Sequence, residues 1–171
     1  AIGIFSRLTE TRFRLSSVQV SVADLCHRVD GRLLPEPDPA LFAALKPELF
    51  ADHRGHIAEE HHIFDQRRRG WSAYLQLGIE SYSDRELIRL GKGYRVAHIR
   101  AIVAATAARG LHVDGYFIQS NADTSAEDLV DVIDEITRLK MRFPRHFHVR
   151  FPAVPHLISF TPSASYRRLV R

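Results

Sequence analysis

Histidine is the most prominent chemistry-bearing residue type in this sequence, with ten copies in 171 residues. His53, His56 and Glu60 are spaced three and four residues apart, so on a helix they would share one face. Imidazole and carboxylate groups grouped in this way can ligate zinc through nitrogen and oxygen. One hypothesis is therefore a histidine-based metal-dependent hydrolase, and the alternative is a solvated surface helix.

A second polar group lies near the end of the sequence. His146, His148 and Arg150 alternate with apolar residues, so they would occupy one side of a strand. On the inner side of a barrel these polar side chains could bind an anionic substrate. The alternative is the solvated face of an edge strand.

Cysteine chemistry is limited because Cys26 is the single cysteine. This sequence by itself excludes an intramolecular disulfide, a multi-cysteine zinc site and a conventional iron-sulfur site. Redox chemistry carried out by this chain alone is therefore not expected.

The composition is that of a globular chain, with 45% hydrophobic and 26% charged residues. The net charge of +4 comes from arginine-rich spots, including a basic tail at 163–171. Such spots could attract nucleic acid, but no RNA-binding motif accompanies them, so that partner stays a minor hypothesis. No apolar run long enough to span a bilayer and no signal peptide is recognisable, which predicts a cytoplasmic protein without a membrane partner.

The elements that must position these residues follow from hydrophobic periodicity. We predict strands at 12–22, 74–79, 111–118 and about 147–151. A Pro-rich loop is predicted at 33–39. A helix is predicted to be opened by Asp38 and Pro39 and to be interrupted or ended by Pro47. A short helix is predicted between Ser83 and Gly91, and a long one ends near Arg109, before Gly110. The buried face of the long helix is predicted to be Val96, Ile99, Ile102, Val103 and Thr106.

A further helix is predicted from Thr124 to Leu139, where Thr124 is the N-cap and Glu127 completes a capping box. Ser83 and Glu86 predict the same device for the short helix. The apolar face of the later helix is expected to be Leu129, Val132, Ile133, Ile136 and Leu139.

Strands that alternate with helices predict parallel strands joined by crossover helices, in a single α/β domain over residues 1–171. Four strands correspond to half of a TIM-like barrel. Ligands of such sheets bind beyond the carboxyl ends of the strands, and Glu80 and Ser81 would project at that rim.

The stretch Leu75–Tyr94, LQLGIESYSDRELIRLGKGY, resembles the radical S-adenosylmethionine (SAM) superfamily. Members often carry a strand that ends in G-x-E-S or G-x-Q-S, a short capped helix, a basic residue, a long helix and a strand reading G-y-f-I, which Gly115–Ile118 matches. Thr124–Asp128 is similar to the T-x-x-E-D stretch that follows, and Arg14–Ser17 to a strand of the methylthiotransferase-like branch; a cobalamin-type branch is the other candidate.

The resemblance implies a SAM site in a partial barrel of the radical SAM type. Glu80 would bind the ribose hydroxyls, Lys92 the SAM carboxylate, and Ile118 would pack near the adenine, with Ser81 beside them. The family's reductive cleavage of SAM to a radical needs a 4Fe-4S cluster on a C-x-x-x-C-x-x-C motif, and this sequence lacks that motif.

We therefore expect the later portion of a longer radical SAM barrel, whose cluster loop lies on a missing N-terminal half-barrel or an oligomer partner. The substrate, a small molecule or a peptide, is not identified by the sequence. The alternative hypotheses are a non-catalytic degenerate barrel or binding module, and the metal-dependent hydrolase described above.

Overall fold

The computed structural model describes residues 18–50, 74–117 and 123–150. In chain order the elements are β1 (Val18–Ser21), α1 (Val22–Leu25), β2 (Cys26–Val29), β3 (Arg32–Pro37), α2 (Pro39–Ala44), a 3-10 turn (Pro47–Leu49), β4 (Tyr74–Glu80), α3 (Asp84–Arg89), α4 (Val96–Ala107), β5 (His112–Phe117), α5 (Ala126–Arg142) and β6 (Phe147–Arg150).

The main sheet has four strands in the order β1-β4-β5-β6, and every neighbouring pair is parallel. Helices α3 and α4 connect β4 to β5, and α5 connects β5 to β6. Parallel neighbours require such crossovers, because a tight turn can join only antiparallel strands. The predicted α/β class with parallel strands is confirmed. Within the described ranges, no helix has the length and apolar character needed to cross a bilayer.

The prediction of a loop at 33–39 is wrong, because Arg32–Pro37 forms a strand that pairs antiparallel with β2. The prolines of this segment favour a loop when the sequence is considered alone. Pro35 and Pro37 lack an amide hydrogen, but a two-stranded ribbon has free edges where no donor is needed. The helix opened by Asp38 is confirmed, since its carboxylate accepts a hydrogen bond from the Leu41 amide at 2.7 Å.

The long helix α4 buries the face predicted for it, the five residues at 96, 99, 102, 103 and 106. Helix α5 differs from the prediction at its start. Its N-cap is Ser125, whose hydroxyl accepts from the Asp128 amide at 3.1 Å, so the capping box lies one residue later than expected. On its predicted apolar face, Leu129 and Ile133 are 41% and 62% exposed. The apolar residues of α5 that are buried in the core are Val132 and Leu139.

The predicted capping box of α3 is also wrong. Ser83 is the N-cap residue, but its side chain makes no capping hydrogen bond. Its hydroxyl instead donates to Asp128 of α5, and the buried Glu86 carboxylate accepts from the hydroxyls of Ser81 and Thr124, so tertiary contacts take both groups.

Gly115 has a packing role in the middle of β5. A Cβ atom at this position would lie 2.7 Å from the Tyr82 hydroxyl and 2.8 Å from Ile79 Cδ1, closer than real Cβ atoms approach. The Tyr82 ring is 1% exposed and lies edge-on to Phe117 and Phe147, with ring centroids 5.8 and 6.2 Å away. The glycine therefore leaves the space that this ring occupies.

We expect Gly115→Ala to lower the free energy of unfolding by about 1 to 3 kcal/mol, because the ring is enclosed and cannot move aside freely. Urea unfolding at neutral pH measures the change. Gly93→Ala is the matched control, since nothing lies within 4 Å of a Cβ there, and it should change stability by less than about 0.5 kcal/mol. Equal effects of the two substitutions would contradict the packing role.

Candidate functional site

The two faces of the main sheet differ in polarity. Strand register aligns Gln19, Gln76, Asp114 and His148 in one row across the four strands, and Ser21, Gly78, Tyr116 and Arg150 in a second row on the same face. The rows between them, on the opposite face, are Val18, Leu75, Val113 and Phe147, and Val20, Leu77, Gly115 and Val149. A parallel sheet with helices on both faces is apolar on both. The polar face therefore suits a binding surface.

The carboxyl end of β4 is strained at Glu80. This residue has φ +68°, a left-handed value that is rare and unfavourable for a side chain other than glycine. The Ser81 amide donates to the Ile79 carbonyl at 2.8 Å and so closes a three-residue turn around Glu80. Backbone strain of this kind persists where the surroundings impose it, and it often marks functional positions.

The strained turn places the Glu80 carboxylate on the polar face. Glu80 Oε1 lies 3.4 Å from the position of a Cβ at Gly78, so the carboxylate occupies the side of the strand where Gly78 has no side chain. Lys92 Nζ donates to the same oxygen at 3.1 Å, and the two side chains are 30% and 33% exposed. The structure thus brings together two of the residues predicted to bind SAM.

Lys92 is held at this position by the end of α3. Gly91 has φ +70°, and the Lys92 amide donates back to the Leu87 carbonyl at 2.9 Å, which closes the helix and turns the chain toward β4. The twelve-residue spacing between Glu80 and Lys92 therefore spans one strand end, one short helix and its closing turn.

Ser81 faces into the protein. Its hydroxyl donates to Glu86 Oε2 at 2.9 Å and accepts from the Ser83 amide at 3.1 Å, and the residue is fully buried. Glu86 also accepts from the Thr124 hydroxyl at 2.5 Å. These bonds join the loop after β4 to the segment before α5. The predicted contact of Ser81 with a ligand stays a prediction.

Sequence reasoning missed Asp128, the acidic residue that joins two helix starts behind the rim. Its buried carboxylate accepts hydrogen bonds from the Ser83 hydroxyl at 2.8 Å, from Arg85 Nε at 3.0 Å, from Arg89 and from the amide and hydroxyl of Ser125. Burial alone would raise the pKa of Asp128, but the hydrogen bonds from Ser125, Arg89 and Ser83 outweigh it and hold that pKa well below its usual range. The pattern S-x-x-D at 125–128 is the sequence signal that could have identified it.

The predicted substrate residues lie at three different levels of the sheet. His148 shares its row with Asp114, and Arg150 shares the register row of Gly78, two strands away from it. His146 precedes β6, and its ring stacks on His112 with centroids 5.0 Å apart, at the amino end of the strands and away from Glu80. A role of these residues in substrate binding stays a prediction.

The histidine rings at the amino end are fixed by backbone carbonyls. Nδ1 of His112 donates to the Arg145 carbonyl at 2.8 Å, and Nδ1 of His146 donates to the Leu111 carbonyl at 3.1 Å. Burial lowers the pKa of His112, and the neighbouring His146 lowers it further, against the raising effect of the Arg145 carbonyl. These contacts tie the end of α5 to the start of β5.

Other predicted site residues lie outside the described residues, namely Ile118, His53, His56 and Glu60. The predicted tail at 163–171 lies outside them as well. Within 18–50, 74–117 and 123–150, no group of three or more His, Cys, Asp or Glu side chains could hold a metal ion. The zinc hypothesis for the 53–60 segment stays a prediction.

No protein-family model matches the chain, and no curated protein matches it. Solved structures do match: the chain is similar to the cobalamin-dependent S-adenosylmethionine radical enzyme OxsB with aqua-cobalamin and S-adenosylmethionine bound, with a TM-score of 0.51 and 16% identity over 98% of this chain. OxsB with aqua-cobalamin alone gives a TM-score of 0.49 and 16% identity over 79% of this chain.

At this identity the similarity to OxsB shows the fold alone, which is an α/β arrangement with a parallel four-stranded sheet. The chain spans 18% of the length of that OxsB chain. The predicted fold class is therefore confirmed.

We expect Asp128→Asn to lower the free energy of unfolding at pH 7 by at least about 2 kcal/mol. The arginine and serine side chains that donate to the buried Asp128 carboxylate would then face a neutral amide and not a negative charge. The lowered pKa means that the ionised carboxylate stabilises the fold above about pH 4 and that this contribution is lost as pH falls. Urea unfolding between pH 7 and pH 3 should therefore show a steeper acid loss in the wild type than in the variant.

Asp131→Asn is the matched control, since Asp131 also accepts from Arg85, at 2.9 Å, but its side chain is 49% exposed. We expect a change below about 1 kcal/mol for this exposed pair. Parallel pH profiles for the wild type and Asp128→Asn would contradict the role assigned to Asp128.

Proposed function

We propose that this chain is the SAM-binding portion of a radical SAM iron-sulfur enzyme, and that Glu80 and Lys92 bind the SAM molecule. The observation that carries the proposal is the pairing of these two side chains on the polar face, at the carboxyl end of β4, with the Glu80 carboxylate lying over Gly78. Carboxyl ends of parallel strands are where such folds bind ligands.

The chemistry of the pair suits the two ends of SAM. A carboxylate can accept hydrogen bonds from both hydroxyls of a ribose, and an ammonium group can donate to the amino-acid carboxylate of the same ligand. The pair is about one-third exposed, so its mutual attraction is weak enough for a ligand to compete with it. The fold similarity to OxsB, whose structure holds SAM, supports this assignment.

An iron-sulfur cluster does not fit the residues of this chain. Cys26 is the single cysteine, it is 5% exposed, and burial raises its pKa to about 11. A cluster needs several thiolates, and a buried neutral thiol supplies none. We therefore propose that the cluster ligands belong to another segment of a longer protein. When SAM is cleaved reductively at such a cluster, it would supply a 5'-deoxyadenosyl radical.

The residues of this chain have binding and orienting roles in the proposal. Glu80 would fix the ribose and Lys92 the carboxylate, and Arg150 is the predicted substrate residue that shares the register row of Gly78. The single cysteine also favours a second candidate, a non-catalytic binding module that keeps the scaffold.

We expect the chain to bind SAM with a measurable affinity at ligand concentrations up to about 1 mM. Glu80→Ala and Lys92→Ala should each weaken binding at least about tenfold, because each removes a hydrogen bond to a charged group. Isothermal titration calorimetry with SAM measures both effects on the purified chain.

Glu48→Ala and Lys46→Ala make the same changes at exposed positions on or next to the 3-10 turn and should leave binding unchanged within about twofold. A wild-type chain that binds no SAM would overturn the proposal and favour the non-catalytic module. Wild-type binding that both site variants retain would refute the assignment of the residues.

We expect Cys26 in the folded chain to react with a disulfide reagent at pH 8 at least about 100-fold more slowly than in denaturant, because the raised pKa leaves little thiolate. Absorbance of the released thiolate follows the rate. Rapid reaction of the folded chain would show that Cys26 is an accessible thiol and would remove the argument against a metal or cluster ligand at this position.

A further inference from the structure

We propose that Tyr94 is a positioning residue for the ligand site, which acts by holding the strained turn at Glu80. This inference rests on the proposed function, since the ligand that the turn serves is SAM. The Tyr94 hydroxyl bonds to backbone carbonyls of β4, so its effect is transmitted through the backbone of that strand.

The Tyr94 hydroxyl lies 3.0 Å from the Gly78 carbonyl oxygen and 2.9 Å from the Ile79 carbonyl oxygen. A phenol has one hydrogen to donate, so these two acceptors share it. The ring is 1% exposed, and burial raises the pKa of Tyr94, with Glu80 raising it further, so the hydroxyl remains a donor at neutral pH.

The two carbonyls are those that precede the strained residue. The register between β4 and β5 shifts between Gly78 and Glu80, so the regular ladder of the sheet is interrupted there. Backbone carbonyls in the protein interior need hydrogen-bond donors. The Tyr94 hydroxyl is a donor shared between these two carbonyls, and the Ser81 amide also donates to the Ile79 carbonyl.

One short loop therefore supports both parts of the site. Lys92 pairs with the Glu80 carboxylate, and Tyr94, two residues later, holds the Glu80 backbone. Loss of the Tyr94 hydroxyl would let the backbone relax from φ +68° toward a favourable extended value. The carboxylate would then leave its position over Gly78.

The first test compares Tyr94→Phe with Tyr82→Phe. Both tyrosines are 1% exposed, but within the described part of the chain the Tyr82 hydroxyl has no hydrogen-bond partner. We expect Tyr94→Phe to raise the unfolding equilibrium constant about fivefold or more, and Tyr82→Phe to leave it unchanged or lower it. Equal effects of the two substitutions would overturn the inference.

A double-mutant cycle with Glu80→Gly separates support of the turn from general packing. Glycine adopts φ +68° without strain, so the turn needs less support in that background. We expect the effect of Tyr94→Phe to shrink from about fivefold to less than about twofold there. An undiminished effect would assign Tyr94 a packing role only. The three-bond coupling between the amide proton and Hα of residue 80 reports φ. It should therefore differ from the wild-type value in the Tyr94→Phe single variant.

SAM titration completes the test under conditions where each variant is fully folded. We expect Tyr94→Phe to weaken SAM binding about fivefold or more and Tyr82→Phe to leave it unchanged. If the wild type binds SAM and Tyr94→Phe binds it equally well, the positioning role fails while the proposed function stands. If the wild type binds no SAM, the proposed function fails, and the ligand-positioning role of Tyr94 fails with it.

Discussion

The register of four parallel strands is the constraint on which the rest of this structure depends. Because side chains alternate along a strand, aligned register puts whole rows of like polarity on the same face. One face carries leucine, valine and phenylalanine and packs in the core with α4, and the other carries the polar rows. A slip of one residue in any strand would exchange these faces. The apolar rows therefore fix the position of the polar ones.

The rim at the carboxyl end of the sheet combines strain with support. Glu80 adopts an unfavourable backbone angle, and the turn around it is held by the Tyr94 hydroxyl and the Ser81 amide. Behind it, Asp128 and Glu86 bind the helix starts and the loops together through buried charged hydrogen bonds. Such buried carboxylates are favourable only where donors surround them, and here both have several partners.

The functional assignment combines fold and site, and neither is sufficient by itself. Similarity to OxsB at 16% identity shows the fold alone, and one fold can host unrelated functions. The Glu80 and Lys92 pair adds a specific chemistry at the position where this type of fold binds ligands. The single buried cysteine separates this chain from the cluster chemistry, so the proposed function assigns only binding and orientation of SAM to its own residues.

The sequence by itself determined the alternation of strands and helices and the buried face of α4, because these depend on local periodicity and on the closing glycine at 91, which can be recognised without a structure. A shared site for Glu80 and Lys92 was implied only by the family resemblance, and the tertiary structure brings the two side chains together. Tertiary structure alone decided the capping partners, the role of Asp128 and the turn at Glu80. Ser83 and Glu86 do not form the predicted capping box because Asp128 of α5, Ser81 before α3 and Thr124 before α5 bind them instead. The left-handed conformation of Glu80 cannot be predicted from the sequence either, because the hydrogen bonds from Tyr94 and Ser81 around it form only in the folded protein.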